Sequence, residues 1–363
     1  MTHSELPAAA DRKTVEFLRL LGPGCPVRFR EADLGRRLHA GAGAMRRIFR
    51  ILEKRGYRFR NGREGERILA GRPDTISAEE VLSGLSTRKM GRPFLSFLRL
   101  DSTNDVALEM ARQGAPEGTV VAAEHQAKGR GRLGRSWAGC SGKGLTFSLV
   151  LRPRLPADEV PVLTLAAASA LAKTLRSFGA HPGIKWPNDV LLGGKKACGI
   201  LTEMQAEPDR AAFVVVGIGV NLNQLRPDFP EGLRTSATSL RLALGRPVRR
   251  ARFLQEALLN LEEAYDWVKR REGSRVLAAW RRWEEVTGRQ VRVTQVDRSF
   301  FAQALHVDGK GALWVRADSG MVERLTAGDV EVLRLGRRRS IRRATRRGVS
   351  DRMKRKRFPL GRG

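Results

Sequence analysis

The apolar residues between positions 11 and 72 recur every three or four residues, which is the period of one face of an α-helix. Two later runs alternate apolar and polar residues, which is the period of a β-strand. Three helices followed by a two-stranded wing are typical of a winged helix-turn-helix domain, and we predict this domain for residues 11–72. The predicted helices cover 14–21, 32–39 and 44–55, a turn covers 39–43, and the wing strands cover 57–60 and 67–69.

The third of these helices has one apolar face and one basic face. Arg46, Arg47 and Arg50 fall on the outward face at helical spacing. Because arginine side chains bind phosphates and base edges, this face is a candidate DNA contact. The inward face carries Met45, Ile48, Phe49 and Leu52.

The rest of the chain predicts an α+β protein with two further domains. Residues 73–90 have the composition of a linker with one short helix, and residues 91–285 alternate strand and helix patterns, which predicts a mixed α/β domain. Short alternating segments from 286 to 336 predict a small antiparallel barrel. In the larger domain the predicted strands are 94–100, 120–124, 145–151 and 213–220, and the predicted helices are 102–112, 160–178, 250–269 and 275–285.

The net charge of +30 is concentrated towards the two ends of the chain. Residues 337–363 carry +12 and residues 11–72 carry +10, whereas the long middle is mildly basic. This distribution favours contact with polyanions by the appendages rather than by the central domain. Residues 337–363 also lack apolar periodicity, so we predict a basic, disordered tail there and a flexible N-terminus at 1–10.

The cysteine count and the hydropathy pattern exclude several classes of protein. Cys25, Cys140 and Cys198 lie far apart and form no Cys-x-x-Cys pair, so neither a disulfide framework nor a structural zinc site is expected. No apolar run reaches the roughly 18 residues of a membrane-spanning helix, and the N-terminus lacks the apolar stretch of a signal peptide. We therefore expect a reduced, cytoplasmic protein with no membrane partner.

The most distinctive segment runs from Gly129 to Trp137, with the sequence GRGRLGRSW, directly after a predicted strand. Glycines let backbone amides approach an anion closely, and the interleaved arginines can neutralise phosphates or a carboxylate. The segment lacks the closing GK[ST] of a Walker loop. A solvated basic loop or an RNA contact is the alternative interpretation of this segment.

A second polar cluster has the sequence KWPND from Lys185 to Asp189, followed by KKACGIL at 195–201. Lys185 could stabilise charge on an attacked phosphorus, and Asp189 could hold Mg²⁺ on a triphosphate. Two other segments, Gly217 to Asn223 and Asp101 to Asn104, place small polar residues at the end of a strand and at the start of a helix. The structural alternative for Lys185 to Asp189 is a hairpin whose polar tip is solvated. For Gly217 to Asn223 it is a glycine-kinked core strand with a turn, and for Asp101 to Asn104 it is a plain helix cap.

Taken together, these segments resemble the bacterial biotin protein ligases, including the bifunctional ligase/repressor members that begin with a winged helix-turn-helix domain. Their order and spacing match the family from about residue 95 to 225, and the later helices and small barrel match its remaining architecture. The resembling segments are Asp101-Ser-Thr-Asn104, Glu124-His-Gln126, Gly129 through Trp137, Lys185-Trp-Pro-Asn-Asp189, Lys196 to Leu201 and Gly217 to Asn221.

The resemblance implies a catalytic domain of the fold shared by class II aminoacyl-tRNA synthetases and lipoate ligases, followed by an SH3-like domain. It implies ATP and Mg²⁺ as cofactors, biotin as the substrate, and the biotin carboxyl carrier protein of acetyl-CoA carboxylase as the acceptor. The residues that match biotin-binding positions are Ser102, Thr103, Asn104, Gln126, Arg130, Gly131, Arg132 and Lys196. Those that match ATP or adenylate positions are Trp137, Lys185, Asn188, Asp189 and Asn221, with Asp189 also the metal ligand. Arg132, Lys185 and Lys196 match the catalytic positions.

The resemblance also implies that the N-terminal domain represses biotin genes at an operator and that the protein forms a homodimer through the central sheet. One departure bears on repression. Gly41-Ala42 stand where members with working repressor domains often begin the third helix with Ser-Arg. A side-chain cap and an arginine are lost by this change, so operator DNA binding and a purely supporting role for the domain both stay open.

Two alternative functions remain open from the sequence. The first is a DNA-binding regulator that senses a small ligand without catalysis, and the retained Lys185, Asp189 and Lys196 argue against it. The second is a lipoate ligase of the same fold. Ser102-Thr-Asn104 together with Gly129-Arg-Gly-Arg132 favours biotin, because a lipoyl ring offers no ureido group to hydrogen-bond.

Overall fold

The computed structural model of the protein describes residues 10–295 and 297–333. The predicted basic tail at 337–363 and all but the last residue of the predicted flexible N-terminus lie outside the described residues. None of the helices in these two ranges combines the length and the apolar composition that crossing a membrane requires.

The N-terminal part contains three helices and a three-stranded antiparallel sheet with the order β1-β3-β2. Its core is aromatic, because the rings of Phe17, Phe29, Phe49 and Phe59 lie with their centroids 5.0 to 6.4 Å apart. The elements are α1 (Arg12–Leu21), β1 (Val27–Arg30), α2 (Glu31–Arg37), α3 (Ala42–Lys54), β2 (Arg58–Asn61) and β3 (Glu66–Gly71).

Two details of this part differ from the prediction. Helix α3 begins at Ala42, inside the predicted turn, because Gly41 takes an extended conformation and serves as the N-cap residue without a side-chain hydrogen bond. The predicted two-stranded wing is joined by β1, which pairs Val27 with Leu69. Val27-Arg-Phe-Arg30 alternates apolar and polar residues, but four residues are too few to indicate a strand, and pairing with β3 decides the conformation.

The central part is a seven-stranded sheet with the order β4-β5-β6-β10-β9-β8-β7, in which only the β4–β5 pair of the described strands is parallel. The long helix α6 packs against α8 and α9 and buries Leu165, Leu171 and Leu175 completely. The elements are α4 (Ala78–Ser83), β4 (Phe94–Leu100), α5 (Thr103–Arg112), β5 (Val120–Gln126), β6 (Leu145–Leu151), α6 (Pro161–Ser177), β7 (Pro182–Lys185), β8 (Asp189–Leu192), β9 (Lys195–Ala206), β10 (Ala211–Val220), α7 (Leu240–Leu244), α8 (Arg250–Lys269) and α9 (Gly273–Arg281).

The C-terminal part is a five-stranded antiparallel sheet with the order β14-β13-β12-β11-β15. It is joined to the central part through Trp186, whose buried indole N–H donates to the backbone oxygen of Gly311 at 3.1 Å. The strands are β11 (Gln290–Thr294), β12 (Ser299–Val307), β13 (Leu313–Ala317), β14 (Val322–Leu325) and β15 (Asp329–Val332). The last predicted helix, 275–285, is observed as α9 from Gly273 to Arg281. It ends earlier than predicted because the backbone of Trp283 and Glu285 hydrogen-bonds to Ile184 of β7.

The segment predicted as a linker, 73–90, is packed into the structure. Residues 76–81 are buried, and α4 begins with a Ser77 side chain that accepts a hydrogen bond from the Glu80 amide. Arg19 of α1 donates to the backbone oxygens of Leu82 and Ser83 at 3.2 Å each. The segment therefore makes specific contacts with the N-terminal helices, and not merely a covalent connection to them.

Replacing Leu171 with alanine should lower the stability of the protein substantially. The side chain is 0 % exposed in the middle of α6, and emptying such a site costs about 3 kcal/mol. Leu98→Ala is the matched control because Leu98 is 84 % exposed. Urea unfolding of both variants measures the difference, and an equal change in the two midpoints would contradict the assigned packing.

Candidate active site

The glycine-arginine segment after β5 folds into a tight hairpin. The Trp137 amide donates to the Gly129 oxygen at 2.8 Å, and the Gly131 amide donates to the Arg135 oxygen at 2.7 Å. Between them a short 3₁₀ turn exposes Leu133 at the tip. The hairpin directs its arginines towards three different parts of the molecule.

Arg130 is held at one end of the sheet by two carboxylates. Its guanidinium lies 2.7 Å from both Asp105 of α5 and Glu203 of β9. The same Glu203 oxygen accepts a hydrogen bond from the Asn104 amide at 2.6 Å. Arg130 and Asn104 therefore share one acceptor, which places two predicted biotin-binding side chains side by side.

Arg132 and Arg135 extend from the hairpin in the other direction. Arg132 donates to the side-chain oxygen of Asn188 at 3.1 Å, and Arg135 pairs with Asp329 of β15 at 2.7 Å. Burial lowers the pKa of the Arg132 guanidinium, while the carboxylates of Asp329 and Asp189 act in the opposite direction. A half-buried cation here gains from any anion that enters the site, because the surrounding protein screens charge less than water does.

Asp189, at the start of β8, lies between two lysines. Its oxygens are 2.6 Å from the Lys196 ammonium and 3.5 Å from the Lys185 ammonium. Lys185 also lies 3.5 Å from Asp329. Burial acts to raise the pKa of Asp329, but Lys185 and Arg135 outweigh it and leave that pKa below its usual value. The hairpin of β7 and β8 thus has an ordered, charged tip, against the alternative of a merely solvated one.

The start of α5 forms a second polar cluster with β5 and β6. Ser102 is the N-cap residue of α5, and its hydroxyl accepts from the Asp105 amide at 3.4 Å. The Gln126 oxygen accepts from the amide and hydroxyl of Thr103 at 2.7 and 2.9 Å. The Ser148 hydroxyl lies within 2.7 Å of oxygens on Thr103 and Asn104. These hydrogen bonds between α5, β5 and β6 fix the polar side chains at one end of the sheet.

Trp137 lies flat on a glycine floor formed by β9 and β10. Gly199 and Gly219 are direct cross-strand partners. A Cβ atom on Gly219 would stand 2.2 Å from the indole, and one on Gly199 would stand 2.9 Å from it. Only glycine therefore permits this approach. The Lys196 ammonium lies 5.8 Å from the centre of the same ring.

Asn221 follows β10 at the same end of the sheet. Its backbone N–H donates to the backbone oxygen of Ala197, next to Lys196, at 2.8 Å. Its side-chain oxygen accepts from the Gln224 side chain at 3.1 Å. On the N-terminal part, Arg46, Arg47 and Arg50 are all exposed on α3, apart from the central sheet. The contacts of the glycine-arginine hairpin thus link the predicted site residues near α5 with those near β8, and the predicted DNA-contact residues lie on a separate helix.

Three polar residues at the site were missed by the sequence reasoning. Asp329 comes from a different part of the chain, and Glu203 and Ser148 lie within strands whose pattern indicates only a sheet. No local signal marks Asp329. Glu203 and Ser148 could have been found from polar residues that interrupt otherwise apolar strands, since buried polar groups need partners.

Comparisons with known proteins identify the class to which this arrangement belongs. Residues 96–221 match the Biotin/lipoate A/B protein ligase family. A solved biotin protein ligase from Aquifex aeolicus, in complex with biotin and ATP, is similar over 66% of this chain and 97% of its own, with 26% identity and a TM-score of 0.53.

Two curated relatives narrow the class. The chain is 38% identical over 282 residues to the bifunctional ligase/repressor BirA of Bacillus subtilis, covering 77% of this chain and 86% of the relative. It is 36% identical over 244 residues to the biotin–[acetyl-CoA-carboxylase] ligase of Mycobacterium tuberculosis, covering 64% of this chain and 86% of the relative. The chain belongs to the biotin protein ligase family.

Replacing Asp329 with asparagine should loosen the glycine-arginine hairpin. Removal of this carboxylate frees Arg135, and a partly exposed ion pair stabilises by about 0.5–1 kcal/mol, which corresponds to roughly two- to fivefold in the open population. Trypsin should then cleave after the hairpin arginines faster by about that factor. Asp318→Asn, an exposed position after β13, is the control, and equal cleavage of both variants would contradict the assigned role.

Proposed function

We propose that this chain is an ATP-dependent biotin protein ligase. It activates biotin to biotinyl-5′-AMP and transfers the biotin to a lysine of the biotin carboxyl carrier protein of acetyl-CoA carboxylase. The observation that carries the proposal is the convergence of Arg132, Lys185 and Lys196 around Asp189, beside a glycine floor. The kinship with the ligases of Bacillus subtilis and Mycobacterium tuberculosis supports the same reaction.

The reaction joins two anions, and the site is built to reduce their repulsion. The biotin carboxylate attacks the α-phosphorus of ATP, pyrophosphate leaves, and a mixed anhydride remains as a good acyl donor. Two lysines and two hairpin arginines supply the positive charge that this approach requires. Little covalent chemistry by the protein is needed, because positioning and charge stabilisation account for the rate.

The end of the sheet near α5 is proposed to hold the biotin ring. Thr103, Asn104 and Gln126 offer hydroxyl and amide groups to the ureido function, and Ser102 caps the helix that presents them. Arg130 and Gly131 lie in the hairpin above this end and Arg132 leads towards the phosphate. Lys196 is proposed to contact the biotin carboxylate.

The part of the site around the start of β8 and the end of β10 is proposed to hold the nucleotide. Lys185, Asn188 and Asp189 face the phosphates, and Trp137 and Asn221 contact the adenine. Magnesium is usually bound by one or two carboxylates together with substrate phosphates. The described residues contain no cluster of three or more metal-binding side chains, and Asp189 offers a single carboxylate. This donor set fits Mg²⁺ carried by the triphosphate, where it would neutralise phosphate charge.

One assay tests the ligase assignment. The purified chain is incubated with ATP, Mg²⁺ and either biotin or lipoate, and pyrophosphate release is followed together with label transfer to a carrier domain. We expect release and transfer with biotin. Release with lipoate instead would indicate the lipoate ligase, and release with neither would indicate the non-catalytic sensor.

Replacing Lys196 with alanine should weaken the use of both biotin and ATP. A half-buried charge contact to the reactants is lost, at a cost of about 3 kcal/mol in kcat/KM. Lys195→Ala is the control, because neighbouring residues of a strand point to opposite faces. Wild-type kinetics in the Lys196 variant would remove Lys196 from the site.

Replacing Arg132 with glycine should leave adenylate formation possible but let the adenylate escape. The hairpin would lose its hydrogen bond to Asn188, and a loop that closes over a reactive intermediate protects it from water. Labelled biotinyl-5′-AMP in the filtrate, measured against the wild type, reports the leak. Equal retention by the two proteins would count against this role.

We also propose that the N-terminal part is a winged helix-turn-helix that represses biotin genes, and that the C-terminal sheet is an SH3-like domain. The exposed arginines of α3 support DNA contact, and the name of the Bacillus subtilis relative pairs ligase with repressor. The uncapped start of α3 at Gly41 leaves a supporting role as the competing interpretation. A homodimer through the central sheet is a further proposal.

Changing Arg46, Arg47 and Arg50 together to alanine should weaken operator binding and lower its dependence on salt. Each lost phosphate contact reduces the slope of log K against log salt by about 0.9. Fluorescence anisotropy on a duplex upstream of a biotin gene, over a salt series, measures both quantities. Arg112→Ala on α5 is the control, and an unchanged slope in the triple variant would favour the supporting role.

A further inference from the structure

Two adjacent arginines at the start of α8, the N-cap residue Arg249 and the first helical residue Arg250, face different partners. Arg249 donates to Glu80 of α4 at 2.9 Å. The Glu80 carboxylate also accepts from Arg72 at 3.1 Å and from the Tyr57 hydroxyl, and both of these residues belong to the N-terminal part. Arg249 therefore serves the joint between the N-terminal part and the central sheet.

Arg250 faces the interior of the central part and is 1 % exposed. Its guanidinium lies 2.6 Å from Glu124 of β5 and 3.3 Å from Asp74, and it donates to the Gly144 oxygen at 3.1 Å. The Arg250 amide donates to Asp74 as well, at 2.8 Å. A single buried cation thus joins three separate stretches of chain.

Two of those stretches lead to residues of the candidate active site. Glu124 lies two residues before Gln126 on β5, so their side chains leave the same face of the strand, and Gln126 accepts both hydrogen bonds from Thr103. Asp74 accepts from Asn223, two residues beyond Asn221, at 3.3 Å. Glu124 also accepts the Ile76 amide at 3.0 Å, which docks the segment after Asp74 onto the same carboxylate.

We propose that Arg250 is a positioning residue for biotin. Resting on the proposed function, this role is to hold the end of β5 through Glu124, so that Gln126 and Thr103 are aligned before biotin arrives. The Ile76 amide, which donates to the same carboxylate, gives Glu124 a second partner that fixes its position.

The two carboxylates around Arg250 are not equivalent. The side chain of Asp74 is 36 % exposed and that of Glu124 is 16 % exposed. Water can replace Arg250 at Asp74, whereas Glu124 would be left with a poorly solvated charge if Arg250 were removed. The pair with Glu124 is therefore the stronger constraint, and the pair with Asp74 is the one that can open.

The test measures biotin binding by calorimetry with the full chain in four forms: wild type, Arg250→Met, Glu124→Gln and Arg249→Met. We expect Arg250→Met and Glu124→Gln to weaken biotin binding by about tenfold, as a misaligned hydrogen-bonding pair does. Arg249→Met should bind biotin within about twofold of the wild type, because Arg249 contacts the joint and not β5. Thermal melting checks that each variant is folded.

Steady-state kinetics separate positioning from general damage. Arg250→Met should raise the KM for biotin with a smaller change in kcat, since the phosphate-facing lysines are untouched. Arg250→Lys should recover part of the biotin affinity, because an ammonium can reach Glu124 but cannot serve all three partners. If Arg250→Met does not fold, the lysine and glutamine variants carry the same comparison.

The outcomes are distinguishable. Wild-type biotin affinity in folded Arg250→Met or Glu124→Gln overturns the positioning role, and so does an equal loss in Arg249→Met. Absence of biotin binding and of biotin-dependent pyrophosphate release in the wild type overturns the proposed function itself.

Discussion

The arrangement of the site depends on the ion pairs between the buried carboxylate of Asp189 and the two lysines beside it, Lys185 and Lys196. The Lys196 and Lys185 ammonium groups lie 2.6 and 3.5 Å from Asp189, whose carboxylate offsets their mutual repulsion in a half-buried cleft. The β7–β8 hairpin and β9 must therefore be adjacent in the sheet, and the sheet order places them so. A phosphate entering the cleft meets positive charge that is already arranged for it.

The C-terminal sheet completes this arrangement. Asp329 reaches Lys185 and Arg135 from β15, while the indole of Trp186 is anchored on Gly311. These contacts hold the hairpin of β7 and β8 from the side that the central sheet does not cover. Lys185 thus pairs with one carboxylate from each of two sheets, Asp189 and Asp329. Displacement of either sheet would leave this half-buried lysine without one of them.

The N-terminal part is connected to the central part by ionic contacts at the start of α8. Glu80 and Asp74 lie in the segment predicted as a linker, and each pairs with one of the adjacent arginines at the start of α8. Buried charges of this kind are costly when unpaired, so they define one seating of the segment rather than many. These ion pairs attach the segment that follows the N-terminal part directly to the first turn of α8 in the central part.

The sequence by itself determined the elements and the chemistry of the segments. Periodicity located α1, α8 and β6 to within a few residues, because those patterns depend on near neighbours. The glycine-arginine hairpin and Lys185-Trp-Pro-Asn-Asp189 were recognisable because their residue types are unusual together. Tertiary structure alone decided the partners: β1 became a strand by pairing with β3, and Asp329, Glu203 and Arg250 acquired their roles from residues remote in the chain. Such pairings depend on how sheets and helices close in three dimensions, and no local pattern records them.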